Sequence, residues 1–92
     1  MIRTFGSSAT RNFVLGGKSK FAGMDEKIAR RRFAQLQQAN ALEDLGRLNS
    51  VGLHKLKGDL AGYWSIDING PWRILFKFDA GHAYEVTIHD PH

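Results

Sequence analysis

At 92 residues the chain has room for one domain, spanning 1–92, with a modest core that removes about two thirds of the unfolded chain's surface from water. Cysteine is absent, which excludes disulfides and thiolate metal sites. No apolar run reaches the roughly 20 residues of a membrane helix, and Met1 to Phe5 meets polar Gly6-Ser7-Ser8 too soon to be a signal peptide, so the expectation is a cytoplasmic protein without membrane contact.

The net charge of +4 is divided unevenly: nine Lys/Arg stand against four Asp/Glu up to Leu53 (+5), and four against five from His54 onward (−1). All four histidines lie in that second part. A basic first half suits approach to a polyanion, while the nearly neutral second half suits chemistry.

In chain order, Ile2 to Phe5 reads as a short strand. Ser7 or Ser8 caps a first helix that runs to about Leu15 and stops at Gly16-Gly17. Asp25 starts a second helix with Ala29, Phe33, Leu36 and Asn40 on one face. Lys27, Arg30, Arg31, Gln35 and Gln38 lie on the other, and the run Arg30-Arg31-Arg32 reads as a solvated face. Leu42, Leu45 and Leu48 predict a last helical turn or two.

After residue 60 the period falls to two. Trp64, Ile66 and Ile68 alternate with Tyr63, Ser65 and Asp67. Trp72, Ile74, Phe76 and Phe78 alternate with Arg73, Leu75 and Lys77. Tyr84, Val86 and Ile88 alternate with Glu85, Thr87 and His89. Asn69-Gly70 and Ala80-Gly81 supply the turns, and His82 beside the second reads as a solvated residue. The expected fold class is α+β: a small twisted antiparallel sheet with two to three N-terminal helices on one face. The other face stays polar and displays Tyr63, Arg73, Lys77 and His89.

The stretch Leu56-Lys57-Gly58-Asp59, followed by Gly62-Tyr63-Trp64-Ser65-Ile66 and Trp72-Arg73-Ile74, resembles the HigB branch of the RelE/ParE superfamily of bacterial toxins. The resemblance implies a ribosome-dependent mRNA endonuclease paired with a helix-turn-helix antitoxin, HigA, and through it indirectly with operator DNA. The active site that it implies falls on His54, Lys57 and Arg73 and on a C-terminal Asp-Tyr-His. That last element reads Asp90-Pro91-His92 here, and proline has no phenol to stack on a base or donate a proton.

Metal-free cleavage of RNA needs a proton acceptor, a proton donor and cations around one phosphate, and no cofactor. His54 or Asp90 is assigned as general base and His92 as general acid, an assignment that reverses equally well. Arg73 and Lys57 are assigned as phosphate clamps, with Tyr63 and Lys77 as further contacts to the substrate. Lys27, Arg30 and Arg31 would dock on the 70S ribosome. His89 and His92 have a metal-like spacing, but a strand end lacks the helical face that such spacing exploits.

Each of these residues has a plainer reading. His54 and Lys57 suit a solvated loop, Arg73 suits a cross-sheet pair with Asp67 or Glu85, and Asp90-Pro91-His92 suits a frayed terminus. Two rival functions remain at this point. One is a ParE-like inhibitor that binds gyrase without catalysis, and the other a homologue that binds RNA or the ribosome but cleaves weakly.

Overall fold

A computed structural model describes residues 1–90, so the calls on Pro91 and His92 lie outside the described residues. Helix α1 (Ser8–Val14) begins where the Ser7 side chain accepts from the Thr10 amide, and it ends before Gly16, whose φ of +99° reverses the chain at no cost to a side chain. Helix α2 (Glu26–Gln38) is capped in the same way by Asp25, which accepts from the Ile28 amide. Helix α3 (Leu42–Gly46) follows. There the Asp44 carboxylate accepts from the amides of Asn40 and Ala41, two donors that the helix start leaves open.

The second half forms one antiparallel sheet in the order β1 (His54–Lys55), β2 (Trp64–Asp67), β3 (Arg73–Asp79), β4 (His82–His89). A 3₁₀ turn, Gly58–Leu60, fills the β1–β2 connection. Ile66, Ile74, Phe76, Val86 and Ile88 point from one face of the sheet into a core shared with Phe13 of α1, Ala29, Phe33 and Leu36 of α2, and Leu45 of α3. Helices therefore cover one face, as the alternation of the strands predicts, and the other face is left to the polar positions.

Several expectations are corrected. Ile2 to Phe5 is not a strand but makes two isolated parallel bridges to β4, Ile2 with Ala83 and Phe5 with Val86. Asn40 lies beyond α2 and is exposed, and Leu48 lies past α3 at 39% exposure. Arg32 is no part of a solvated face: it is 6% exposed and donates to Asp67 O (2.7 Å), Ser50 O (3.0 Å) and Gln35 Oε1 (3.2 Å). His82 is half-buried rather than solvated, with Nε2 3.3 Å from Arg3 Nη2.

The main departure in the sheet is in β4. Leu75 pairs with Thr87 but Lys77 pairs with Tyr84, so β4 carries one extra residue at Glu85, which takes φ +52°. This β-bulge shifts the alternation by one: Ala83, not Tyr84, joins Val86 and Ile88 in the core. It also sends both Tyr84 and Glu85 away from the core.

Candidate active site

Strand register arranges the uncovered face in three rows. In the first, Arg73 stands opposite both Asp67 and His89, and Asp90 follows directly. The second runs His54, Ser65, Leu75, Thr87 across all four strands. The third holds Tyr63 and Lys77, with Glu85 of the bulge in contact with both. His54 and Arg73 are thus two strands and two residues apart, roughly 12 Å between Cα atoms. That gap admits a phosphodiester between an imidazole and a guanidinium that both reach over the sheet.

Each cation on this face already holds a carboxylate. Arg73 Nε lies 3.7 Å from Asp67 Oδ1, with both side chains 45% exposed, a pair worth at most about 1 kcal/mol. Lys77 Nζ lies 3.1 Å from Glu85 Oε2, and the same oxygen accepts from the Tyr63 hydroxyl at 3.0 Å. Lys77 also sits 5.0 Å from the centroid of the Tyr63 ring.

The hydrogen bond from Lys77 holds the Glu85 carboxyl below its ordinary value, and the same contact raises Lys77. Desolvation raises the Tyr63 phenol, and its bond to Glu85 adds to the effect. A phosphate, being another oxyanion, is a natural competitor for the oxygen sites that Asp67 and Glu85 now fill.

The structure gathers His54, Arg73, Tyr63, Lys77 and the His89-Asp90 end of β4 on one face. Lys57 is exposed at the start of the 3₁₀ turn, three residues beyond His54. The proposed docking residues are not part of this face: Lys27, Arg30 and Arg31 belong to α2, in the layer on the other side of the sheet. Arg30 is also committed, since its guanidinium stacks 4.1 Å above the Phe13 ring and donates to Phe13 O at 3.0 Å. Among the described residues, no three His, Asp or Glu side chains form a group that could hold a metal ion.

Sequence reading missed features of three residues on the face. Glu85 looked like one polar position in an alternating strand, and its joint contact with Lys77 and Tyr63 depends on pairing between strands that alternation does not give. Ser65 and Leu75 looked exposed by alternation, yet Ser65 is fully buried and Leu75 is 6% exposed. A two-residue period tells which side of the sheet a position takes, and not how far it is exposed there.

Residues 10–92 match the family of HigB, the RelE-like toxin of a type II toxin–antitoxin system. The chain is also 35% identical over 94 residues, covering all of both chains, to the protein named Endoribonuclease HigB of Proteus vulgaris. Three helices on one face of a four-stranded antiparallel sheet fit that assignment. The chain belongs to the HigB-like family of RelE-like toxins, proteins that pair with an antitoxin in type II toxin–antitoxin systems.

Proposed function

We propose that this toxin is an endoribonuclease that cuts mRNA on the ribosome and so inhibits translation. The observation that carries the reading is the uncovered sheet face, where His54, Arg73, Tyr63 and Lys77 meet the end of β4 in a chain matched over its whole length to an endoribonuclease.

The reaction is attack of a ribose 2′-oxygen on the adjacent phosphorus. The new P–O bond forms as the bond to the 5′-oxygen breaks, leaving a 2′,3′-cyclic phosphate and a free 5′-hydroxyl. His54 or Asp90 takes the 2′-hydroxyl proton, and His92 gives one to the departing 5′-oxygen; imidazole suits both tasks because it titrates near neutrality. Arg73 exchanges Asp67 for two phosphoryl oxygens in its planar fork, and Lys77 exchanges Glu85 for a third contact. Lys57 completes the clamp from the turn beside His54, and Tyr63 offers a ring to a base.

A site of so few groups gains most when the ribosome orients the message for in-line attack. Lys27 and Arg31, exposed on α2, would rest on ribosomal RNA, with Arg30 held back by Phe13. The partner antitoxin is a HigA-like helix-turn-helix protein that ties the pair to operator DNA, and the site of action is the cytoplasm. Among the described residues no helix is long and apolar enough to cross a membrane.

The test is incubation with translating ribosomes and a defined message, with new 5′ ends mapped by primer extension, beside His54→Ala, Arg73→Ala and His92→Ala. Discrete cuts within codons that vanish in the variants support the reading. An intact message with growth arrest that all three variants retain would replace it with gyrase binding of the ParE type.

A further inference from the structure

Ser65 sits at the centre of the uncovered face, directly opposite His54 in the β1–β2 ladder. It is fully buried, and among the described residues its Oγ has no hydrogen-bond partner. Buried hydroxyls are nearly always bonded, because an unmatched one keeps the penalty of leaving water. An orphan in the middle of this face directs attention to the side chains that can turn to meet it.

The neighbours narrow the choice. Leu75, opposite on β3, has no polar side-chain atom. Tyr63, two residues back in the chain, has its hydroxyl on Glu85, and Asp67, two residues on, faces Arg73. Thr87, in the same row, donates to Glu85 O. His54 is the polar one of the two ladder partners of Ser65: it is exposed, its side chain makes no hydrogen bond among the described residues, and its Cβ lies about 5 Å from that of Ser65. At that spacing an imidazole is long enough to span to a serine hydroxyl across the ladder.

We propose that Ser65 is a positioning residue for His54: its hydroxyl oxygen accepts from Nδ1–H of the imidazole, which turns the Nε2 lone pair toward the ribose hydroxyl. The proposal rests on the nuclease reading for its purpose but not for its geometry. An imidazole has two inequivalent nitrogens, and the bond made by one decides what the other does. An unanchored ring on a two-residue strand would share its time between tautomers and rotamers. A ring held through Nδ1 presents one basic nitrogen in one direction, and the same bond favours the imidazolium that forms when the proton is taken. The charged or titratable groups that share the face with His54 are Tyr63, Lys77 and Glu85 on one side and Asp67, Arg73 and His89 on the other, with Lys55 and Lys57 beside it in the chain. Ser65→Ala leaves all of them in place.

Nitrogen-15 NMR of the imidazole across a pH titration reads both tautomer and protonation in the full-length chain, with His54→Ala to assign the signal. The wild type is expected to hold His54 as the Nδ1–H tautomer. In Ser65→Ala that preference is expected to vanish. Thermal unfolding checks that Ser65→Ala is folded. Identical tautomers in the two proteins would overturn the proposal.

In the cleavage assay Ser65→Ala is expected to lower kcat about three- to tenfold and to move the acidic limb of the pH profile, which reports the general base. A uniform loss with no movement of that limb would also overturn it. A wild type that shows the NMR difference but cuts no message would refute the nuclease reading and leave the Ser65–His54 bond standing.

Discussion

Arg32→Met tests how the helical layer holds the reactive face. The guanidinium is buried and reaches two backbone carbonyls that no helix or ladder serves: Asp67 O at the end of β2, at 2.7 Å, and Ser50 O in the loop before β1, at 3.0 Å. Methionine keeps most of the apolar stem but takes the donor from both carbonyls, whose bonds to Arg32 are part-buried, at about 1–3 kcal/mol each. Relief of the desolvated charge returns part of that sum, so the net loss is about 2–4 kcal/mol. For a chain of this size the loss lowers Tm by roughly 10–25 °C. Arg32→Lys reaches one carbonyl at most and falls between.

Asp67 carries the carboxylate that faces Arg73, and the Ser50 loop leads to His54, so both variants are expected to weaken cleavage as well. Urea unfolding followed by circular dichroism reads the stability. A shift of less than about 0.5 kcal/mol for Arg32→Met would refute the reasoning, since it would mean that water serves both carbonyls and that Arg32 does not couple α2 to the face.

Two further perturbations follow from the same geometry. The lowered Glu85 contributes stability above its ordinary value of 4.5 and loses it as pH falls through the folded value. The raised Lys77 and Tyr63 contribute below their ordinary values of 10.5 and 10.0 and lose it as pH rises through the folded ones. Glu85→Gln is therefore expected to flatten a plot of Tm against pH at both ends, and a variant that tracks the wild type at both would break the link between the three groups. Thr10→Val removes the acceptor for the buried Ile88 amide at 2.9 Å and is expected to destabilise by about 1–3 kcal/mol in urea; an unchanged midpoint would show that the amide finds another partner.

Legibility from sequence differed by the kind of interaction that decides each element. Caps at Ser7 and Asp25 and the turns at Asn69-Gly70 and Ala80-Gly81 are local chemistry, and they stand where their residue types place them. The covered face of β2 and β3 follows from period alone, as does the place of Arg73 and Lys77 on the other. Arg32 was hidden by its neighbours, because in a run of three arginines a charge-based reading gives all three the same fate. Helical geometry separates them: Arg32 shares a face with Ala29, Phe33 and Leu36, and its length lets it bury a charge against carbonyls contributed 18 and 35 residues away.

The bulge was illegible for a different reason, and it bears most on function. Positive φ is a signal only when glycine supplies it, and here a glutamate does, at a conformational cost of order 1–3 kcal/mol. Had β4 run straight on from Leu75–Thr87, Glu85 would stand directly opposite Lys77 and Tyr84 would face the core. With the extra residue, one carboxylate oxygen meets an ammonium at 3.1 Å and a phenol at 3.0 Å. The small chain gives each of two cations on this face a carboxylate partner. In β4 the extra residue turns Tyr84 out of the core and leaves Glu85 within reach of Lys77 and Tyr63, so the residue that breaks the local rule still belongs to the third row of the site.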